Sequence, residues 1–110
     1  MLVLARTDHN IEKHDGMLER ITFAVEAALA NRSELITRVQ VHLSDQSGDL
    51  KEGERQLLCM MEARLEHRQP VAVIHLADTV DRAVVGAAGR LIRMIDTTLS
   101  RAYDPRVNST

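Results

Sequence analysis

The sequence predicts an α+β domain, a two-layer βαβββα sandwich whose four-stranded sheet carries both helices on one face. Three observations lead there. Two segments repeat apolar residues at the i, i+3, i+4, i+7 spacing of an amphipathic helix, and two others alternate apolar and polar residues strictly. Each helix has one apolar stripe and each middle strand one apolar face, so one layer of helices on one sheet buries them all. The 110 residues suffice for one core and leave no room for a second, so residues 1–103 are expected to form a single domain.

Met1 to Thr7 is apolar enough for a first strand, and Asp8-His9-Asn10 is turn chemistry. Asp15 to Ala30 reads as a helix whose inward stripe is Met17, Leu18, Ile21, Ala24, Val25, Ala28 and Leu29. Glu19, Arg20, Thr22, Phe23 and Glu26 fall on its outer face, Gly16 weakens its first turn, and Asn31-Arg32-Ser33 ends it. Leu35 to Ser44 alternates, with Leu35, Thr37, Val39, Val41 and Leu43 inward and Arg38, Gln40, His42 and Ser44 outward. A polar loop spans Asp45 to Gly53. Alternation resumes with Leu57, Cys59, Met61, Ala63 and Leu65 inward, while Leu58 and Met60 break the outward polarity and point to partial cover of that face. After the turn His67-Arg68-Gln69-Pro70, Val71 to Leu76 is a strand apolar on both faces, with His75 expected as a core histidine. The helical crossover makes the first two strands parallel, and the rest form an antiparallel meander.

The last helix, Thr79 to Arg101, is the most informative element. Val80, Ala83, Val84, Ala87, Ala88, Leu91, Met94, Ile95 and Leu99 form its apolar stripe, and Asp78 or Thr79 supplies its N-cap oxygen. At about 100° per residue, Arg82, Gly86, Gly89, Arg90, Arg93, Thr97 and Arg101 share one outer arc. Each interior glycine costs about 1 kcal/mol relative to alanine. Set between arginines, the two glycines are expected to bare the backbone to a bulky partner. Residues 104–110 are expected to form a flexible tail after Asp104-Pro105.

Charge sharpens that point. The chain's net charge is −2, which argues against nucleic-acid binding by overall charge. Residues 79–101 nevertheless carry a net +2, and residues 1–78 a net −4, so positive charge gathers on the last helix. Phe23 and Tyr103 are the only aromatics, which leaves little for base stacking. Contact with RNA would therefore run from arginine to phosphate and depend on salt.

Other chemistry finds no support. Asp45-Gln46-Ser47-Gly48-Asp49 begins like a calcium loop, but Leu50 stands where glycine is needed and Gln56 where a bidentate glutamate is needed. His9 and His14 have no third ligand at zinc-type spacing. No serine sits in a nucleophile elbow and no glycine loop suits a phosphate, so no catalytic residue, metal or cofactor is expected. A single cysteine, Cys59, fits a reducing compartment. The N-terminus lacks a signal-peptide pattern, and no apolar run reaches the roughly 18 residues of a membrane helix. A soluble, cytoplasmic domain with no membrane partner is the expectation.

Thr37-Arg38-Val39-Gln40-Val41-His42-Leu43-Ser44-Asp45, Cys59-Met60-Met61-Glu62-Ala63-Arg64 and Ala77-Asp78-Thr79 with Ala83, Gly86, Ala87 and Leu91-Ile92-Arg93 resemble the ribosome hibernation-promoting factor and ribosome-associated inhibitor family. Its members are also called sigma-54 modulation proteins, and the resemblance runs from the first strand to about Arg101. It implies the same βαβββα fold and binding without catalysis. Members occupy the decoding region of the small ribosomal subunit, around the A and P sites, in stress or stationary phase, and basic helix residues contact ribosomal RNA. By position, that role falls on Arg90, Arg93 and Arg101, with Arg82 on the same stripe and Arg20 on the first helix. Ending at Thr110, the chain resembles the short form, without the dimerising domain of long members. It departs from the family in the poor basicity of its first helix, where Arg20 and Arg32 stand among Ala24, Glu26 and Ala27. The competing expectation is a protein–protein module that forms a homodimer through the open sheet face.

Overall fold

The computed structural model describes residues 1–8, 10–48 and 55–102, the side chains of residues 101 and 102 excepted. Strand β1 (Leu2–Thr7) leads into helix α1 (Met17–Ala28), a 3-10 helix (Ala30–Leu35), strands β2 (Ile36–Asp45), β3 (Leu57–Leu65) and β4 (Val71–Ala77), and helix α2 (Val80–Ala102). The strands lie side by side in chain order. β1 pairs parallel with β2, as the helical crossover requires, and the other two pairings are antiparallel. α1 packs against β1 and α2, while α2 packs over β3 and β4.

Each element follows from local chemistry. Gly16, with φ 78°, takes the left-handed conformation that starts α1 and that a residue with a Cβ enters at a cost. Met17, Ile21 and Val25 then recur on one face and are buried, and Leu29 continues the stripe past the helix end. In place of a clean stop at Asn31-Arg32-Ser33, the chain tightens into the 3-10 helix.

β2 departs from strict alternation. Ile36 faces Leu65 while Arg38 faces Arg64, so Thr37 is an extra residue at a bulge. The inward set is therefore Ile36, Val39, Val41 and Leu43, and the expected inward Leu35 and Thr37 are exposed. Burying Ile36 in place of Thr37 gains about 2 kcal/mol of apolar transfer. The Thr37 hydroxyl donates to the Arg64 carbonyl at 3.2 Å, which supplies a partner across the irregular ladder. Ser44, expected outward, is buried near the far end of the same strand.

β3 keeps the expected inward set of Leu57, Cys59, Met61, Ala63 and Leu65, and Leu58 and Met60 are half-buried. Burial pushes the Cys59 thiol up to about 12, which makes it a small core hydrophobe. β4 is apolar on both faces as expected, and only one of them is covered. It is an edge strand: Val71, Val73, His75 and Ala77 turn toward the helices, and Ala72, Ile74 and Leu76 lie exposed on the open face. One helical layer covers only one side of a sheet.

In α2, Ala83, Val84, Ala87, Ala88, Leu91 and Ile95 are buried, and Val80 and Leu99 are partly so. Met94 is the exception at 46 % exposed, because it lines the open groove above β4 and has no layer over it. Among the described residues no helix is long and apolar enough to cross a membrane. The expected flexible tail, Tyr103, His9 and the Asp49–Gly53 part of the polar loop lie outside the described residues.

Leu91 is fully buried between α2 and the sheet. Leu91→Ala should lower unfolding stability by about 2–5 kcal/mol in urea titrations, as large-to-small core changes do.

Candidate nucleic-acid interface

The arginines of α2 are placed by how that helix begins. The Thr79 hydroxyl, not Asp78, is the N-cap, accepting the Arg82 backbone N–H at 3.1 Å. Asp78 is left to take the Arg82 guanidinium at 3.1 and 3.2 Å. Both side chains are largely exposed, so this is a weak surface ion pair that a phosphate can replace.

About two and three turns further on, the arginines leave the acids behind. Arg90 and Arg93 lie on the flank of α2 above β4, and with Ala72, Val73, Ile74, Met94 and Thr97 they line an open groove of about 380 Å³. Among the described residues no carboxylate pairs with either arginine. Arg90 instead donates its Nε–H to Nδ1 of His75 at 3.2 Å. The Arg93 guanidinium lies back near Gly89, 3.8 Å from where a Cβ would stand. The groove combines two unpaired cations with an apolar floor of Ile74 and Met94. It can hold an anion at its rim, and it offers no nucleophile or acid–base pair.

Gly86 does not serve as expected. A Cβ there would overlap the His75 imidazole, so its bare backbone is filled from within the chain. A Cβ on Gly89 would meet only the Arg93 guanidinium, at ordinary contact distance.

The remaining expected contacts divide. Arg101 continues the stripe at the helix end, and its side chain is outside the described residues. Arg20 lies on α1, where it lines a depression with Glu19, Phe23 and, from α2, Asp81. It is not brought together with Arg90 and Arg93. Phe23, 74 % exposed, shares that depression. Arg32 is engaged elsewhere: its Nε and Nη2 donate to the two oxygens of Asp96 at 2.8 and 2.6 Å. This bidentate pair draws the Asp96 carboxyl below its ordinary value of 3.8 and raises the Arg32 guanidinium. It also ties the 3-10 helix before β2 to the outer face of α2.

Sequence reasoning missed His75 as the orienting partner of Arg90. The available signal was a histidine at a helix-facing position of β4, opposite a helix that carries a glycine in its middle. Elsewhere, the Asp45 carboxyl is held below its ordinary value by the Ser47 hydroxyl and the Ser47 backbone N–H at 2.8 Å. His42 donates Nε2–H to Asp8 at 2.7 Å. Among the described residues no group of three or more His, Cys, Asp or Glu could hold a metal ion.

No protein-family model matches the sequence, and no curated protein sequence matches it. Solved structures do match the fold, and they define the class: small α+β domains with this strand order and both helices on one face. One is the crystal structure of the N-terminal domain of Thermus thermophilus Protein Y. It is 20 % identical with a TM-score of 0.63, covering 89 % of this chain and 99 % of that one. Another is a ribosomal subunit interface protein from Coxiella burnetii, 10 % identical with a TM-score of 0.64, covering 90 % and 99 %. At these identities the likeness is one of fold, and it agrees with the fold implied by the family resemblance.

The Arg32–Asp96 pair sets a pH dependence. The carboxyl of Asp96 titrates lower folded than unfolded, so the pair's contribution is present above about pH 4 and is lost as pH falls through the lowered folded value. Asp96→Asn should therefore be less stable than the parent near neutrality, with the gap closing in acid. Thermal melts from about pH 6 to pH 2 check this. The slope contributed by Asp45 remains in both proteins.

Proposed function

We propose that the chain is a ribosome-binding translation inhibitor of the hibernation type. In this reading it occupies the decoding region of the small subunit, around the A and P sites, under stress or in stationary phase. It acts by occupancy and catalyses nothing. Arg82, Arg90, Arg93 and Arg101 contact ribosomal RNA phosphates, and Arg20 makes an outlying contact from α1. The observation that carries this reading is the placement of Arg90 and Arg93 side by side on the exposed flank of α2, with no carboxylate partner among the described residues. Support comes from the family resemblance and from the fold shared with a ribosomal subunit interface protein. Guanidinium groups suit this task because their planar forks match phosphate oxygens. A cytoplasmic location follows from the same reading.

A second reading is favoured by one observation. Leu4, Ile74 and Leu76 are exposed on the sheet face away from the helices, beside half-buried Leu58 and Met60. The register places Arg6, His42, Met60 and Ile74 in one row across that face, and Ser44, Leu58 and Leu76 in the next. A homodimer through this face would bury them.

Co-sedimentation with purified small subunits across a salt series separates the two. Four arginine–phosphate contacts give a slope of about −3 in log affinity against log salt. The Arg82→Glu, Arg90→Glu, Arg93→Glu variant should stay folded and lose binding. A parent that fails to bind at low salt, yet dimerises with rising concentration, would favour the sheet-face reading.

A further inference from the structure

We propose that His75 is a positioning residue for Arg90, and that Gly86 is the notch that admits it. The inference rests on the reading of α2 as an RNA-contacting flank. It identifies what holds one of the contacting guanidinium groups in place.

The argument starts from a residue that local chemistry disfavours. A glycine in the middle of a 23-residue helix is a defect by propensity, and alanine would be better. Space explains it. An ideal Cβ on Gly86 would fall within the van der Waals envelope of His75 Cδ2, Nε2 and Cγ. His75 stands on β4 opposite Cys59, on the strand face turned toward the helices. Its ring therefore lies against the bare backbone of α2, one turn before Arg90.

In that position Nδ1 accepts the Arg90 Nε–H at 3.2 Å. Accepting requires a lone pair on Nδ1, so the ring is neutral with its proton on Nε2. The choice of partner matters. Arg82 and Arg32 are oriented by carboxylates, which also cancel their charge. Arg90 is oriented by a neutral acceptor, so it keeps its full charge. The hydrogen bond engages only Nε, and both terminal amino groups remain for a phosphate. An arginine already ordered loses less freedom when it binds. The device gives a pre-aimed cation on a chain whose net charge is negative.

The experiment measures small-subunit affinity for single and double variants at one salt concentration. His75→Ala should weaken binding about fivefold to tenfold, the effect of one lost orienting hydrogen bond. His75→Asn, whose side-chain oxygen stands near the Nδ1 position, should stay within about twofold of the parent. In an Arg90→Ala background, His75→Ala should cost nothing further. Gly86→Ala should displace the ring and reproduce the His75→Ala loss. The Gly86→Ala, His75→Ala double variant should recover helix stability without recovering affinity. Nitrogen NMR of the free protein should find His75 protonated at Nε2 and a slowly exchanging Arg90 Nε–H. Equal losses from His75→Ala with and without Arg90, or an asparagine as poor as alanine, would overturn the proposal and leave His75 a packing residue. A parent that does not bind small subunits would overturn the RNA reading itself, and this inference with it.

Discussion

The structure depends on how closely α2 approaches the sheet. Ala83, Gly86 and Ala87 present almost no side chain on the side that meets β3 and β4, and the two alanines are buried. Larger residues at these positions would lift the helix away from the strands and open voids around Leu91 and Ile95, both fully buried. The small-residue seam fixes the height of the helix above the sheet. That height decides which side chains clear the core: Arg90, Met94 and Thr97 emerge on the flank over the β4 edge, and Arg93 emerges beside them.

Charge on the helical layer is sorted by the same geometry. Toward its C-terminal half, Asp96 of α2 captures Arg32 of the 3-10 helix in a bidentate pair. At its N-terminus, Asp78 takes Arg82. Over β4 there is no acid to meet, because the edge strand carries none in Val71–Ala77. Arg90 and Arg93 therefore project from a region of local positive potential on a chain of net negative charge. Local potential, rather than total charge, governs attraction for a phosphate within a Debye length of about 8–10 Å.

Much of the fold was legible because it rests on periodicity. The 3.6-residue stripe of Met17, Ile21, Val25 and Leu29 and the alternation of Leu57 through Leu65 each report burial on one side, and burial on one side is what the layer arrangement enforces. The failures fall where a local pattern meets a distant partner. The bulge at Thr37 depends on which of two neighbours wins the core, and alternation alone favoured Leu35 over Ile36. Val71–Leu76 reads as apolar on both faces, yet which of them is covered depends on its place at the sheet edge, a property of the whole topology. The candidate site was legible as a stripe of arginines and illegible as a set of partners. Arg32 and Asp96 lie 64 residues apart in sequence, and His75 meets Gly86 only because β4 lies beneath α2. A glycine between arginines carries the same signal whether it admits a foreign molecule or a side chain of its own chain.

The central claim is that the flank of α2 above β4, and not the open sheet face, meets ribosomal RNA. Its most direct test places a photoreactive benzoylphenylalanine at Thr97, beside Arg93 in the groove, or at Leu4 on the open face, and irradiates each protein with purified small subunits. The account expects RNA crosslinks from position 97 and none above background from position 4. Crosslinks to RNA from position 4 alone would contradict it and move the binding surface to the other side of the sheet.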